Sequence, residues 1–208
     1  MSLTQRRKRF LLAGLVGVLV LIVVLGLYAK SVLDTALCSA AQRGDVRTVR
    51  FLLDHGVDPN ARLREGHLVT PLQFAARGGH VEVARLLLDH GADVNTKASC
   101  DLTALHWAAE NGDIPTIRLL LDHGADVNAI DLDFRGNALL FALENEHWEA
   151  AKLLILSGSD ANGVAELGLV PLDMATGHKD LTDLLLQRGA RHGGVRVHRR
   201  SGAAGGRG

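Results

Sequence analysis

The sequence predicts an all-α repeat solenoid preceded by one transmembrane helix, and three observations support this prediction. The decamer LLLDHGADVN occurs twice, at Leu86–Asn95 and at Leu119–Asn128. The glycines that end this segment and its looser copies are spaced 35, 33, 34 and 31 residues apart: Gly56, Gly91, Gly124, Gly158 and Gly189. A fixed period in this range indicates stacked supersecondary units. A run from Phe10 to Ala29 contains no charged residue.

The uncharged run predicts a membrane anchor at residues 10–29, after a basic N-terminus at residues 1–9. Twenty helical residues rise about 30 Å, the thickness of a hydrocarbon core. A cleaved signal peptide is the alternative, since LYA before Lys30 resembles a weak cleavage site. Signal peptides have apolar regions of about 7–15 residues. This run is longer and Leu27 fits cleavage poorly, so an uncleaved signal anchor is favoured.

The charges that flank the run predict its orientation. Four basic residues, Arg6–Arg9, precede it, whereas Lys30 is the only basic residue in the dozen that follow. Cytoplasmic flanks of membrane spans carry the excess of Lys and Arg. We therefore expect a single-pass protein of the inner (plasma) membrane with a cytoplasmic N-terminus. The remaining chain would be extracytoplasmic, which in a bacterium means the periplasm.

One period of the sequence, Thr70–Asn95, is typical of two short helices followed by a projecting hairpin. Thr70 suits a helix N-cap, and Pro71 suits the first helical position, where a missing N–H costs nothing. A second helix is predicted from about Val81, and Gly91 can adopt the left-handed conformation that ends it. Neither helix can bury its apolar face alone, so each unit must stack on a neighbour.

These units resemble ankyrin repeats, on the strength of TPLQFAARGGHVEVARLLLDHGADVN from Thr70 and TALHWAAENGDIPTIRLLLDHGADVN from Thr103. The resemblance covers residues 34–192 and implies a membrane-anchored ankyrin-repeat protein of bacterial type. Five units fit, at residues 34–62, 63–97, 98–130, 131–163 and 164–192. Only Thr103 and His106 keep both polar residues of the family's T-P-L-H opening. The histidine place is taken elsewhere by other residues: Cys38, Gln73, Leu140 and Asp173.

Charge and motif content exclude several function classes. Residues 31–192 hold all 23 acidic residues and 14 basic ones, a net charge of −9. An acidic body repels phosphate backbones, so we expect no nucleic-acid partner. The chain carries no G-x-S-x-G, phosphate-binding loop, H-E-x-x-H or C-x-x-C motif. We therefore expect neither an enzyme nor a cofactor nor a small-molecule substrate. The tail at residues 193–208, rich in Gly and Arg, is predicted to be disordered.

Recurring histidines and two cysteines raise the question of a metal site or a disulfide. His55, His90 and His123 occupy one repeat position. Neighbouring helices lie about 8–10 Å apart, too far for ligands about 2 Å from one zinc ion. A helix C-terminal role is expected instead. Cys38 and Cys100 lie two repeats apart, beyond the ~7 Å that a disulfide permits between Cα atoms.

The resemblance implies a protein-binding surface at the hairpin tips and the exposed side of the first helices. The matching tips are Arg62–Leu68, Lys97–Leu102, Asp131–Arg135 and Glu166–Leu169. We expect a non-catalytic, membrane-anchored interaction scaffold at the cell envelope, with a partner that is basic if charge complementarity governs binding. The alternative is an inhibitor or immunity protein that blocks a toxic enzyme. The candidate contact residues are Arg62, Arg64, His67, Leu68, Lys97, Cys100, Asp101, Leu132, Asp133, Phe134, Arg135 and Leu167.

Overall fold

The structure is a computed structural model that describes residues 25–63, 68–163, 168 and 170–192. The described residues form five antiparallel helix pairs and no strand, which confirms the all-helical prediction. Helix α1 covers residues 25–43. The remaining helices are α2 Val46–Asp54, α3 Pro71–Arg77, α4 Val81–Asp89, α5 Ala104–Glu110, α6 Ile114–Asp122, α7 Ala138–Glu144, α8 Trp148–Leu156, α9 Pro171–Met174 and α10 Lys179–Gln187.

The helices stack in two layers. The first helices of the pairs pack on one another in chain order, α3 on α5, α5 on α7 and α7 on α9, and so do the second helices from α2 to α10. Between the layers lies an aliphatic core in which Leu72, Leu105 and Leu139 occupy one register position of successive first helices. Each helix therefore buries its apolar stripe against its own pair and the next one.

The predicted ends of the repeat unit are present. Thr70 caps α3 through a hydrogen bond from the Gln73 backbone N–H to its hydroxyl, and the Gln73 side chain accepts from the Thr70 N–H in return. Pro71 is the first residue of α3. Gly91 has φ +88° after α4, a left-handed conformation that glycine adopts without steric cost.

Four hairpin loops join successive pairs: L1 (residues 57–70), L2 (92–103), L3 (125–137) and L4 (159–170). An asparagine in each loop bonds to the following pair. The Asn95 Nδ2 donates to the Gly124 carbonyl at 3.1 Å, and its Oδ1 accepts from the Asp126 N–H at 2.8 Å. Asn60, Asn128 and Asn162 make equivalent pairs of bonds. This asparagine ladder explains why the GADVN segment recurs.

The N-terminal part of the chain continues without a break into the first pair. Residues 25–43 are one helix, and residues 25–33 of it are exposed, including Leu27 and Tyr28. The predicted span at residues 10–29 lies outside the described residues except for its last five. Within the ranges given above, no helix combines the length and the apolarity that crossing a bilayer requires.

Candidate protein-binding surface

The structure describes nine of the twelve candidate residues, and all nine lie in loops L1, L2 and L3. Arg62 and Leu68 are exposed in L1. Lys97 and Asp101 form an ion pair at 2.8 Å across L2, so each is engaged with the other. In L3, Leu132, Asp133, Phe134 and Arg135 are exposed. Arg64, His67 and Leu167 fall outside the described residues.

Loop L3 is organised by a residue that the sequence analysis placed among the exposed tips. Asp131 is completely buried. Its carboxylate accepts hydrogen bonds from the backbone N–H groups of Asp133, Phe134 and Gly136, at 3.0, 2.7 and 2.8 Å. A carboxylate with three such donors fixes the backbone around it. The Asp131–Arg135 tip is thus corrected to residues 132–135, which are held from beneath by Asp131.

Loops L2 and L3 are bonded to each other as well as to the helices. The Leu132 N–H donates to the Cys100 carbonyl at 2.8 Å. The Cys100 thiol lies beside Asp133, and a hydrogen bond to that carboxylate raises the pKa of the thiol. Cys38, in contrast, is buried in α1, and burial raises its pKa to about 12. Cys100 is therefore the accessible thiol of the two, and it marks the centre of the joined loops.

Three successive first helices carry an aromatic side chain at the same position. Phe74, Trp107 and Phe141 each occupy the fourth position of α3, α5 and α7. Phe74 and Trp107 are half-buried and Phe141 is buried. Phe134 of L3 meets Phe141 edge to face, with ring centroids 5.9 Å apart, while 52 % of it stays exposed.

We call Phe74, Trp107, Leu132, Phe134 and Phe141 the inner aromatic surface. Trp107 and Phe141 are absent from the candidate residues, although aligning the repeats on their Leu-x-x-Ala segments places Phe74, Trp107 and Phe141 in one column. The packing of Phe134 on Phe141 joins the L3 tip to this column. Apolar area at the centre of a loop-lined face, surrounded by polar residues, is typical of a protein-binding site.

His106 fastens loop L3 to helix α5. Its Nδ1 accepts from the Thr103 N–H at 3.2 Å, so the ring proton resides on Nε2, which donates to the Gly136 carbonyl at 3.3 Å. Burial lowers the pKa of His106. Asp131 opposes this shift and Lys97 adds to it. The Thr103 hydroxyl also lies 2.9 Å from Nδ1, and burial in this junction favours the neutral ring.

This geometry makes stability depend on pH. Because the folded-state pKa of His106 is lowered, the unfolded chain takes up the proton first. The contribution of His106 is therefore fully present above about pH 6.5 and is lost as pH falls below that value. We expect the free energy of unfolding of the His106→Gln variant to change less between about pH 7 and 5 than that of the wild-type protein. Urea unfolding at several pH values in this range measures the free energy of unfolding of both proteins. An equal slope of that free energy against pH for the two proteins would contradict the prediction.

Gln73 shows which hydrogen bonds a glutamine makes at the position of His106. It occupies the same register position in α3, and its Nε2 donates to the carbonyls of Thr96 and Leu102 in L2 at 2.8 and 3.0 Å. Glutamine at this position therefore bridges a first helix to the next loop without a titratable group. His106→Gln should keep the bridge and remove only the pH dependence.

The three recurring histidines have the predicted helix C-terminal role. The Nδ1 atoms of His55, His90 and His123 lie 2.7–2.8 Å from the carbonyl four residues earlier in their own helices. Each of these carbonyls also accepts the backbone N–H of the same histidine, so the ring adds a second polar contact at the helix end. Across the part of the chain that the structure describes, no three His, Cys, Asp or Glu side chains come close enough to hold a metal ion.

The charged residue that ends the three central first helices changes sign along the stack. The last residues of α3, α5 and α7 are Arg77, Glu110 and Glu144. Arg77 lies with its guanidinium carbon 4.7 Å from the centre of the Trp107 ring, a cation–π contact. Asp133 and Arg135 adjoin Phe134 in L3, whereas Glu110 and Glu144 lie at the far ends of α5 and α7, at the turns into the second helices.

Comparison with protein families gives a match to the family model described as ankyrin repeats (3 copies). The matched segments are residues 15–98, 37–131 and 105–194, which together cover most of the chain. Comparison with curated proteins gave no significant match. The matched segments together include all five helix pairs and the four asparagines of the ladder. This chain therefore belongs to the ankyrin-repeat family, whose repeats form protein–protein interaction domains.

Proposed function

We propose that this protein is a non-catalytic binding module that holds a partner protein at a membrane through its inner aromatic surface. The observation that carries the proposal is the column of Phe74, Trp107 and Phe141 on stacked first helices, with Phe134 packed on Phe141, in a chain with only 4 % aromatic residues. Aromatic side chains in a rigid setting contribute disproportionately to binding energy. Asp131 and His106 provide that rigidity, because they hold Phe134 and its loop in one conformation.

The membrane location is proposed from the sequence of residues 10–29 and its basic N-terminal flank. The uncharged run suits a signal anchor, and the excess of basic residues before it favours a cytoplasmic N-terminus with extracytoplasmic repeats. Exposed apolar side chains of α1, among them Leu25, Leu27 and Tyr28, agree with an apolar environment at its start. Carbonate extraction of membranes tests the anchor, and protease treatment of intact spheroplasts tests the orientation.

The partner segment should carry apolar side chains next to basic ones. Leu132 and Phe134 supply the apolar contact, and the adjoining carboxylate of Asp133 supplies negative charge in a repeat region whose net charge is −9. Charges around an apolar centre increase the association rate and select among partners. Association should accordingly slow as salt concentration rises.

We expect Phe134→Ala to weaken partner binding by about 1–2 kcal/mol, a loss of roughly 5- to 30-fold in affinity. The free energy of unfolding should fall by less than about 1 kcal/mol, because the ring is half exposed and touches Phe141 only edge to face. Affinity and urea unfolding must be measured on the same variant. A large loss of stability with unchanged binding would show that Phe134 serves the core.

Phe51→Ala is the matched control. Phe51 is 59 % exposed, close to the exposure of Phe134, but it lies on α2, in the layer of second helices. Its replacement removes the same ring from another face and should leave affinity unchanged. Equal losses in both variants would indicate general hydrophobic adhesion instead of a defined surface.

The identity of the partner can be sought with a photo-crosslinking amino acid at position 134 and at position 51. A protein crosslinked from position 134 alone would be held by the inner aromatic surface. The same experiment separates a scaffold from an inhibitor or immunity protein. A captured enzyme that loses activity on binding would favour inhibition, and a captured protein that stays active would favour a scaffold.

A further inference from the structure

The direction in which α1 leaves the repeat stack determines which edge of the stack faces the membrane. The first helix of each later pair begins where a hairpin loop ends; α3, for example, begins at Pro71 directly after L1. The ends of α3, α5 and α7 lie at the opposite edge, where tight turns lead into the second helices. The stack therefore has a hairpin edge and a turn edge.

Two contacts show that α1 runs parallel to α3. Near its C-terminal end, the Gln42 carbonyl lies 3.1 Å from the Nε2 of His80, which follows the turn after α3. Further toward its N-terminus, the Cys38 thiol lies close enough to the backbone of Leu63, in the loop before α3, for that backbone to lower the pKa of the thiol against the larger effect of burial. Followed toward its N-terminus, α1 thus travels from the turn edge to the hairpin edge.

Helix α1 does not begin at the hairpin edge but continues past it. Thr35 corresponds in the repeat pattern to Thr70, the N-cap of α3. The ten residues before Thr35, residues 25–34, remain helical, and nine of them are exposed. Ten residues extend the helix by about 15 Å. No loop intervenes in which the helix could bend relative to the stack, so its direction is coupled to the repeats.

The distance from the uncharged run to the hairpin edge is short. That run ends at Ala29, and residues 30–34 add only about 7–8 Å of helix. A bilayer is thicker than its hydrocarbon core by the two headgroup layers, so each headgroup layer is roughly 5–8 Å thick. A tilt of about 20° displaces a loop one helix spacing away by only about 3 Å. Loop L1 therefore reaches the headgroups.

We infer that the hairpin edge of the first two repeats lies against the lipid headgroups, with the turn edge directed away from the bilayer. This inference rests on the proposed membrane anchor. Among the described residues of L1, Arg62 and Leu68 are exposed and form the proposed contact. A guanidinium beside an apolar side chain suits an interface that presents phosphates above acyl chains. A partner reaching the inner aromatic surface must then approach alongside the membrane.

The test compares two labelled variants of the full chain in vesicles of phosphatidylcholine and phosphatidylglycerol with a headgroup-linked energy acceptor. Arg62→Cys places a fluorophore in L1, and Arg77→Cys places it at the end of α3, each in a Cys100→Ser background. Both native residues are exposed arginines, so the two variants lose the same charge. Cys38 is buried and stays unlabelled. We expect stronger energy transfer from position 62 than from position 77.

A glycine–serine insertion between Lys30 and Ser31 provides the control. It uncouples the repeats from the anchor, so the difference between the two positions should shrink while the chain stays with the vesicles. Equal or reversed transfer from the uninterrupted chains, with the protein still in the vesicle fraction, would overturn the orientation and leave the anchor intact. A chain absent from the vesicle fraction would overturn the anchor and the orientation together.

Discussion

Replacing Asp131 with alanine is expected to lower the free energy of unfolding by about 2–4 kcal/mol and to weaken partner binding. The buried carboxylate accepts from three backbone N–H groups, and alanine offers none of them a partner. The Gly136 N–H is itself buried with its bond, so its desolvation is not recovered from water. Loop L3 would lose the conformation that presents Phe134 and Leu132. Urea unfolding and partner titration of one variant measure both effects.

Asp133→Ala distinguishes an organising carboxylate from a merely acidic loop. Asp133 lies two residues away and is exposed, and its backbone N–H stays available to Asp131 after the substitution. It should change the free energy of unfolding by no more than about 0.5 kcal/mol. If Asp131→Ala proves equally mild, the L3 backbone holds its shape without the carboxylate, and the proposed rigidity of the surface is wrong.

Leu120→Ala in helix α6 is expected to cost about 3–4 kcal/mol, the range for a large buried side chain in a site that cannot collapse. Leu120 is completely buried and lies in the third of the five pairs. Stability in a stack is a sum over units and their interfaces. A weakened central unit should therefore uncouple the two ends, so that urea unfolding becomes broader as well as earlier.

Leu156→Ala is the matched control for this cavity. Leu156 ends helix α8 in the same layer as α6 and is 54 % exposed. It loses the same atoms from a position where water already covers half of them, so the cost should stay below about 1 kcal/mol. A similar loss in both variants would mean that the second-helix layer lacks a distinct buried side.

The regular part of this fold could be predicted from the sequence because it depends on local and nearest-neighbour physics. Thr70, Pro71 and Gly91 each specify a backbone conformation within a few residues, and their capping and turn conformations are present in the structure. The recurring His90 likewise forms its bond within one helical turn. Identical letters at a fixed period identified the interfaces between units, since each copy packs against another copy.

The candidate surface could be predicted only in outline. Leu132 and Phe134 were named as candidate contact residues because they lie in a predicted hairpin tip, but the side chain that supports that tip was not recognised. In the segment AIDLDFRG, nothing in the sequence distinguishes Asp131 from an ordinary exposed carboxylate such as Asp133. Its burial depends on backbone N–H groups that converge only when L3 closes, and on His106 of another element, which bonds to Gly136. The order of residues in the sequence does not indicate which backbone groups will meet when the loop folds.

By itself, the sequence determined the repeat period, the helical class, the sites of the turns and the uncharged run before the repeats. Each follows from residue type at a given spacing, which is the form in which helix caps, left-handed turns and apolar stripes are specified. The tertiary structure alone decided that Phe134 of L3 packs against Phe141 of α7. It also decided that α1 passes the hairpin edge unbroken. Both depend on how the helices and loops of the stack pack together, because stacking determines which side chains meet and in which direction a helix end points.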